Sequence, residues 1–237
     1  MLDFLPKKWY NNRIIKEIVR KGATMFNRFI FLFIFIIIAF AGCDKKDSEV
    51  YKILTQQEIQ ALIEKVQNLP DIPVTENEKG IIKTNLGTIE LEFFPEVAPN
   101  HCANFKKLAN AGFYDGVLFH RVIPGFVIQG GDILTRDDNP QNDGTGDAGY
   151  TLNAEFSTLR HDRGVLSTAR EGGDVNSAGT QFFICVASIP HLDGQYTVFG
   201  KVTKGMDVVD KIVASPRDPR DKPLKNVVME HVRVVEN

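Results

Sequence analysis

Apolar positions recur along this chain with three spacings, and each change of spacing marks a boundary. Residues 29–41 are apolar throughout. From Thr55 the spacing becomes helical. Ile59, Leu62, Ile63 and Val66 share one face, and Thr55 with Glu58 in the following turn matches a capping box. Leu69-Pro70-Asp71-Ile72-Pro73 stops that helix, because a proline disfavours helical backbone in the residue before it. Beyond Lys79 the spacing falls to two. Residues 81–84 and 88–93 read as strands around a tight turn at Asn85-Leu86-Gly87. Short β-rich runs follow at 117–122, 126–129, 164–168, 181–186, 197–201 and 227–235. Two helical stretches interrupt them. In 100–110, Phe105, Leu108 and Ala109 share a face and Gly112 closes the helix; the second covers 206–213. Many short strands between turn residues predict a mainly β domain, a sandwich or a barrel, without internal repeats. The polar stretch 135–150 is a long connection, and long loops in compact domains often carry function.

The first apolar run is short for a membrane-spanning helix, which needs roughly 20 residues, and suits the core of a signal peptide. It ends in Phe40-Ala41-Gly42-Cys43, followed by the polar Asp44-Lys45-Lys46-Asp47. Small residues before a cysteine and an abrupt polar run resemble a bacterial lipobox, which implies lipidation at Cys43. An uncleaved signal anchor is the alternative. Met25 is a candidate start, because residues 1–24 make a long leader. The chain therefore divides into a leader and lipoprotein signal peptide at 1–42, a tether with a short amphipathic helix at 43–78, and a main domain at 79–237. The tether helix either dimerises or docks a partner, or it packs on the main domain or on nothing; the second reading is the plainer.

Charge narrows the functions. The net charge is −2, yet residues 1–28 hold seven Lys/Arg against two Asp/Glu, so the remainder carries −7. A mildly acidic body argues against a nucleic-acid partner, which requires a basic face. Three cysteines cannot make a disulfide framework. Cys102 and Cys185 read as buried thiols, with a disulfide between them left open in an exported protein. None of His101, His120, His161, His191 and His231 stands at metal-ligand spacing from a cysteine or carboxylate, so no metal is expected. Residues 144–149 spell G-x-G-x-x-G, but a dinucleotide site needs a strand before and a helix after. An acidic loop precedes this one, so a turn-rich loop is expected. Ser167 and Ser177 lie in no nucleophile elbow.

What remains is Arg121, set among Phe119, Val122, Ile123 and Phe126, with Gln129 following. A guanidinium is always charged and presents five donors in a rigid fork. The pattern predicts an apolar groove with one fixed cation and one amide, suited to a reaction that needs binding and hydrogen bonding. The plainer possibility is that Arg121 neutralises a buried carboxylate and the phenylalanines are ordinary core.

Three segments in order share this character: Phe-His-Arg-Val-Ile-Pro-Gly-Phe-Val-Ile-Gln-Gly-Gly-Asp at 119–132, Asn-Ser-Ala-Gly-Thr-Gln-Phe-Phe-Ile-Cys at 176–185, and Leu-Asp-Gly-Gln-Tyr-Thr-Val-Phe-Gly-Lys-Val at 192–202. Together they resemble the cyclophilin family of peptidyl-prolyl isomerases, from about residue 79 onward. The resemblance implies a closed eight-stranded antiparallel β-barrel capped by two α-helices, and rotation of X-Pro bonds without a cofactor. It puts the catalytic arginine on Arg121 and the assisting glutamine on Gln129. It puts the proline pocket on Phe126, Val127, Phe183 and Leu192, and the segment that holds the peptide backbone on Ala169-Arg170. His191 stands where the family usually has an aromatic residue, often tryptophan; Tyr196 stands where many members have histidine; and Val127 replaces a common methionine. These departures imply a reshaped pocket edge and weaker binding of cyclosporin. The implied partners are proline-containing peptides and unfolded exported proteins, with the membrane reached through lipid on Cys43. A monomer in the cell envelope, facing the periplasm or the outside, is expected. The alternative function is a proline-peptide binding module or chaperone with little turnover.

Overall fold

Alternation of apolar and polar residues is realised here as one strongly curved sheet. The computed structural model describes residues 52–237; the leader, Met25, the apolar run and Cys43 lie outside the described residues. The elements are α1 (Gln56–Gln67), β1 (Glu78–Thr84), β2 (Gly87–Phe93), α2 (Pro99–Asn110), β3 (Phe119–Val122), β4 (Val127–Gly130), β5 (Val165–Thr168), β6 (Phe182–Cys185), β7 (Val198–Lys204), α3 (Met206–Val213) and β8 (Met229–Glu236). The eight strands pair antiparallel in the order β3-β4-β6-β5-β7-β2-β1-β8. The β1–β2 turn is tied by Thr84, whose hydroxyl donates to Gly87 O at 2.8 Å and accepts from Leu86 N at 3.1 Å.

In β2, Ile89, Leu91 and Phe93 are buried, while Glu90 and Glu92 turn outward to Lys79, Lys204 and Lys201. In β6, Phe182 and Ile184 enter the main core, and Phe183 and Cys185 belong to a second, smaller apolar cluster. Successive side chains of a strand leave opposite faces of the sheet. One strand therefore feeds both the barrel interior and a separate apolar surface, and the second surface becomes the site described below. Around Phe105 of α2 the main core gathers Phe93, Tyr114, Phe182 and Phe199, with ring centroids 5.3–5.8 Å apart. α2 begins at Pro99, a position where the missing N–H costs nothing. α3 buries Val208, Val209 and Ile212.

One expectation needs correction. The ring does not close as a continuous ladder. Its edge strands β3 and β8 meet at one isolated bridge, Leu118–Val228, with Phe119 N donating to Val227 O at 2.9 Å and Met229 N to Val117 O at 2.8 Å. Further along, Val122 N bonds instead to Asp221 O at 2.8 Å, in an irregular segment that contains Pro223. A four-residue β3 is thus edged partly by loop, which satisfies its donors without a paired strand.

The described residues carry three α-helices, the two expected with the barrel and the one expected in the tether. The last of these, α1, is the amphipathic tether helix. Its capping box is present: Thr55 Oγ1 accepts from Glu58 N at 3.3 Å, and Glu58 Oε2 accepts from Thr55 N at 2.8 Å. Ile59 and Val66 are buried in the main core, with Leu62 and Ile63 packed beside them. Burying each such side chain fully contributes about 1.5–3 kcal/mol. Beyond the helix, Asp71 pairs with Lys107 at 2.8 Å and Pro73 O accepts from Lys106 at 3.0 Å, so the segment after α1 lies along α2. Cys102 and Cys185 are free and buried.

Candidate active site

Strand register builds the site. Arg121 on β3 faces Gln129 on β4, Gln129 faces Phe183 on β6, and Phe183 faces Ser167 on β5. Directly opposed residues on adjacent strands stand on the same face. The row therefore runs from a cation through an amide to an aromatic ring on the face bearing the smaller apolar cluster. A cavity of about 220 Å³ opens there, lined by Arg121, Phe126, Val127, Gln129, Ala169, Arg170, Phe183, Leu192 and Tyr196. His191 is exposed beside it and stacks on Phe126, with ring centroids 6.0 Å apart and planes 7° from parallel. All the residues singled out from the three sequence segments thus lie at one place. Val127, Phe183 and Leu192 are buried in the apolar cluster, so the cavity has a dry wall and one charged edge.

Arg121 Nη1 donates to Gln129 Oε1 at 3.1 Å, and among the described residues no carboxylate forms an ion pair with it. Its charge is thus not neutralised by a buried acid, and Gln129 fixes the plane of the guanidinium. Gln129 Nε2 donates to Gln181 Oε1 at 3.0 Å, and Gln181 Nε2 donates to Gly144 O at 2.9 Å and Gly146 O at 3.1 Å. At the far end of this chain of bonds is Asp132, wholly buried, whose carboxylate accepts from Leu134 N at 2.7 Å and from Gly144 N. Burial pushes the Asp132 carboxyl above its ordinary range, opposed by these N–H donors. A Cβ at residue 146 would overlap Asp132, which is why glycine stands there. The G-x-G-x-x-G stretch is accordingly an irregular loop moulded on a carboxylate, with no helix following.

Under the apolar wall, His161 lies against Phe183, with ring centroids 6.1 Å apart. Its Nδ1 is 3.1 Å from Asp193 Oδ1 and its Nε2 is 3.1 Å from Ser167 Oγ. These are the residue types of a hydrolytic triad, but Ser167 is entirely buried and donates to Thr197 O at 2.8 Å. Their role is to brace Phe183. Tyr196 meets Phe183 edge-on at 5.8 Å, and the Arg170 guanidinium lies 4.6 Å from the Tyr196 ring centroid. Arg170 also donates to Gln195 O at 3.1 Å, so its charge is held at the cavity rim. His120, next to Arg121 on β3, is buried; burial, then the Arg121 and Lys222 charges, hold its imidazole at about 4, well below the usual range.

Sequence reasoning did not single out Asp132 and Gln181 as members of the site, nor the bracing group Asp193, His161 and Ser167. A signal for the first two was present: Asp132 and Gln181 lie inside the quoted segments, as polar residues in apolar surroundings. In the bracing group His161 and Ser167 are six residues apart and Asp193 lies inside the third quoted segment, but only the fold brings Asp193, 32 residues from His161, against them. Among the described residues, no group of three or more His, Cys, Asp or Glu could hold a metal ion.

Comparison with known proteins gives the family. Residues 80–234 match the family model described as cyclophilin type peptidyl-prolyl cis-trans isomerase/CLD. The chain is similar to peptidyl-prolyl cis-trans isomerase B of Bacillus subtilis, 52% identical over 121 residues, covering 50% of this chain and 78% of that protein. It is similar to a peptidyl-prolyl cis-trans isomerase of Helicobacter pylori, 47% identical over 135 residues, covering 55% of this chain and 77% of the other. With peptidyl-prolyl cis-trans isomerase-like 2 of Rhizopus delemar it shares 42% identity over 160 residues, 65% of this chain but only 28% of that much longer protein. Among solved structures it is similar to a cyclophilin type peptidyl-prolyl cis-trans isomerase of Cryptosporidium parvum crystallised in the presence of the dipeptide Ala-Pro, with TM-score 0.61 and 34% identity, covering 67% of this chain and 99% of that one.

Proposed function

This chain belongs to the cyclophilin-type peptidyl-prolyl cis-trans isomerase family, and we propose that its isomerase domain speeds X-Pro rotation in exported proteins as they fold. The observation that carries the site-level reading is Arg121, held by Gln129 at the charged edge of an otherwise apolar cavity. An X-Pro bond prefers trans by only about 0.5–1 kcal/mol yet isomerises over tens to hundreds of seconds. The barrier, roughly 18–20 kcal/mol, is amide resonance lost in the twisted state. Twisting localises the lone pair on the proline nitrogen. A donor aimed at that atom stabilises the twisted state more than either planar state, which is the condition for catalysis. Arg121 supplies the donor. Phe126, Phe183 and Leu192 hold the pyrrolidine ring while the preceding carbonyl swings. No covalent intermediate or proton transfer is required.

The place of action rests on the sequence before the domain: the apolar run at 29–41, then Cys43, then polar residues. In this reading Cys43 carries lipid, the domain stands in the cell envelope facing the periplasm or the outside, and its clients are unfolded exported proteins. A monomer accords with α1, whose apolar face is used against its own core. A binding role with little turnover draws on His191 and Tyr196, which alter the cavity rim.

The test is cis–trans exchange of a short X-Pro peptide, followed by NMR, with and without the purified protein. Faster exchange is expected. A folded protein that binds the peptide without accelerating it would leave the binding-module reading standing. For location, metabolic labelling with a radioactive fatty acid should mark the parent and not Cys43→Ser.

A further inference from the structure

A second cavity of about 330 Å³ adjoins the first and shares Gln129, Ala169 and Arg170 with it. One wall is the backbone of residues 144–147, part of the long polar loop. That wall is held from two sides. From inside, Asp132 and Gln181 bond its N–H and carbonyl groups. From outside, α1 and the residues leading into it grip both ends of the loop. Leu54 N donates to Arg136 O at 2.7 Å, and Gln67 Nε2 donates to Ala148 O at 2.8 Å. The fit at the second point is close: a Cβ on residue 149 would lie 2.6 Å from Gln67 Nε2, and Gly149 has φ +73°, a conformation that favours glycine. α1 cannot drift, because Ile59 and Val66 are buried in the core. It also lies wholly outside residues 80–234, the part that matches the family model.

We propose that Gln67 of α1 is a positioning residue for substrate selection. It holds the end of the loop, the loop sets the width of the second cavity, and that width decides which residues flanking the X-Pro pair are accepted. The inference rests on the isomerase reading of the first cavity and adds a determinant from outside the isomerase fold. A purely structural Gln67 would affect stability alone.

The test uses the full chain with Gln67→Glu, which keeps size but turns an acceptor toward the Ala148 carbonyl, and with Gln67→Lys, which restores a donor. Each is compared with the parent on a minimal Ala-Pro peptide and on longer peptides carrying bulky residues on either side of the X-Pro pair. For Gln67→Glu, kcat/KM on the minimal peptide should stay within about twofold, while on the longer peptides it changes about fivefold, through KM. Amide hydrogen exchange at Gly144 and Gly146 should quicken, and Gln67→Lys should return both readouts toward the parent. Equal effects on short and long peptides, or none, overturn the proposal. If Gln67→Glu does not fold, Gln67→Met removes the donor without adding charge and is read the same way. If the parent shows no turnover, the isomerase reading falls, and the ratio of long-peptide to short-peptide Kd still decides the role of Gln67: an unchanged ratio overturns it.

Discussion

Gln129 lies directly across the sheet from Arg121 and uses both ends of its amide, the oxygen on Arg121 Nη1 at 3.1 Å and the nitrogen on Gln181 at 3.0 Å. The arginine is oriented by a neutral group that is itself oriented. Its charge is left for the cavity, where a carboxylate in the place of Gln129 would have quenched it.

Arg121→Ala should lower kcat/KM by about 10²–10³, the loss found when a donor aimed at developing charge is removed. Peptide affinity should change far less, since the apolar wall is untouched. NMR exchange rates and a peptide titration separate the two quantities. An unchanged rate in a folded variant would remove Arg121 from the mechanism.

Acid should destabilise the domain through His120. Its folded-state pKa of about 4 lies below the ordinary histidine value of about 6.5, so the unfolded chain takes up the proton first. The contribution is fully present above pH 6.5 and is lost as pH falls from 6.5 toward 4, by about 3 kcal/mol in all. His101 and His161 are shifted the same way by burial, so they add to the loss. His120→Phe removes the titration and keeps a buried ring at this position. Urea unfolding at pH 7 and pH 4 should show a smaller loss for the variant than for the parent.

His191→Trp should extend the apolar surface that now ends in the His191–Phe126 stack. Cyclosporin should bind at least about tenfold more tightly, which corresponds to about 1.4 kcal/mol of added contact. Turnover of short peptides should change little, since Arg121 and Phe183 are untouched. Calorimetric titration checks the first expectation and NMR exchange the second.

Ile59→Ala should cost about 3 kcal/mol, because Ile59 is only 2% exposed and packs in the main core. Unfolding should remain a single transition. If the midpoint does not move, α1 contributes little to the stability of the domain.

Much of the local structure was readable from spacing. Alternation located the β1–β2 hairpin within a few residues, and helical spacing found α2 and α3. The pair Phe182 and Phe183 shows the limit. Spacing alone does not say which of two adjacent identical residues enters the core; the resemblance put Phe183 in the pocket, and the pairing of β6 with β4 and β5 supplies the reason by sending Phe182 inward and Phe183 to the cavity. Likewise the motifs named Arg121 and Gln129, but only register put them opposite one another.

By itself, then, the sequence determined the strands and helices, the family resemblance and the residue types of the site, because these follow from short-range periodicity and contiguous motifs. Tertiary structure alone decided that the barrel meets at one bridge rather than a full ladder and that α1 belongs to the domain. It alone joined Asp132 to Arg121 through Gln181 and Gln129. Each depends on groups far apart in the chain whose hydrogen-bonding needs are met only once the sheet has curved and the loops have packed against it.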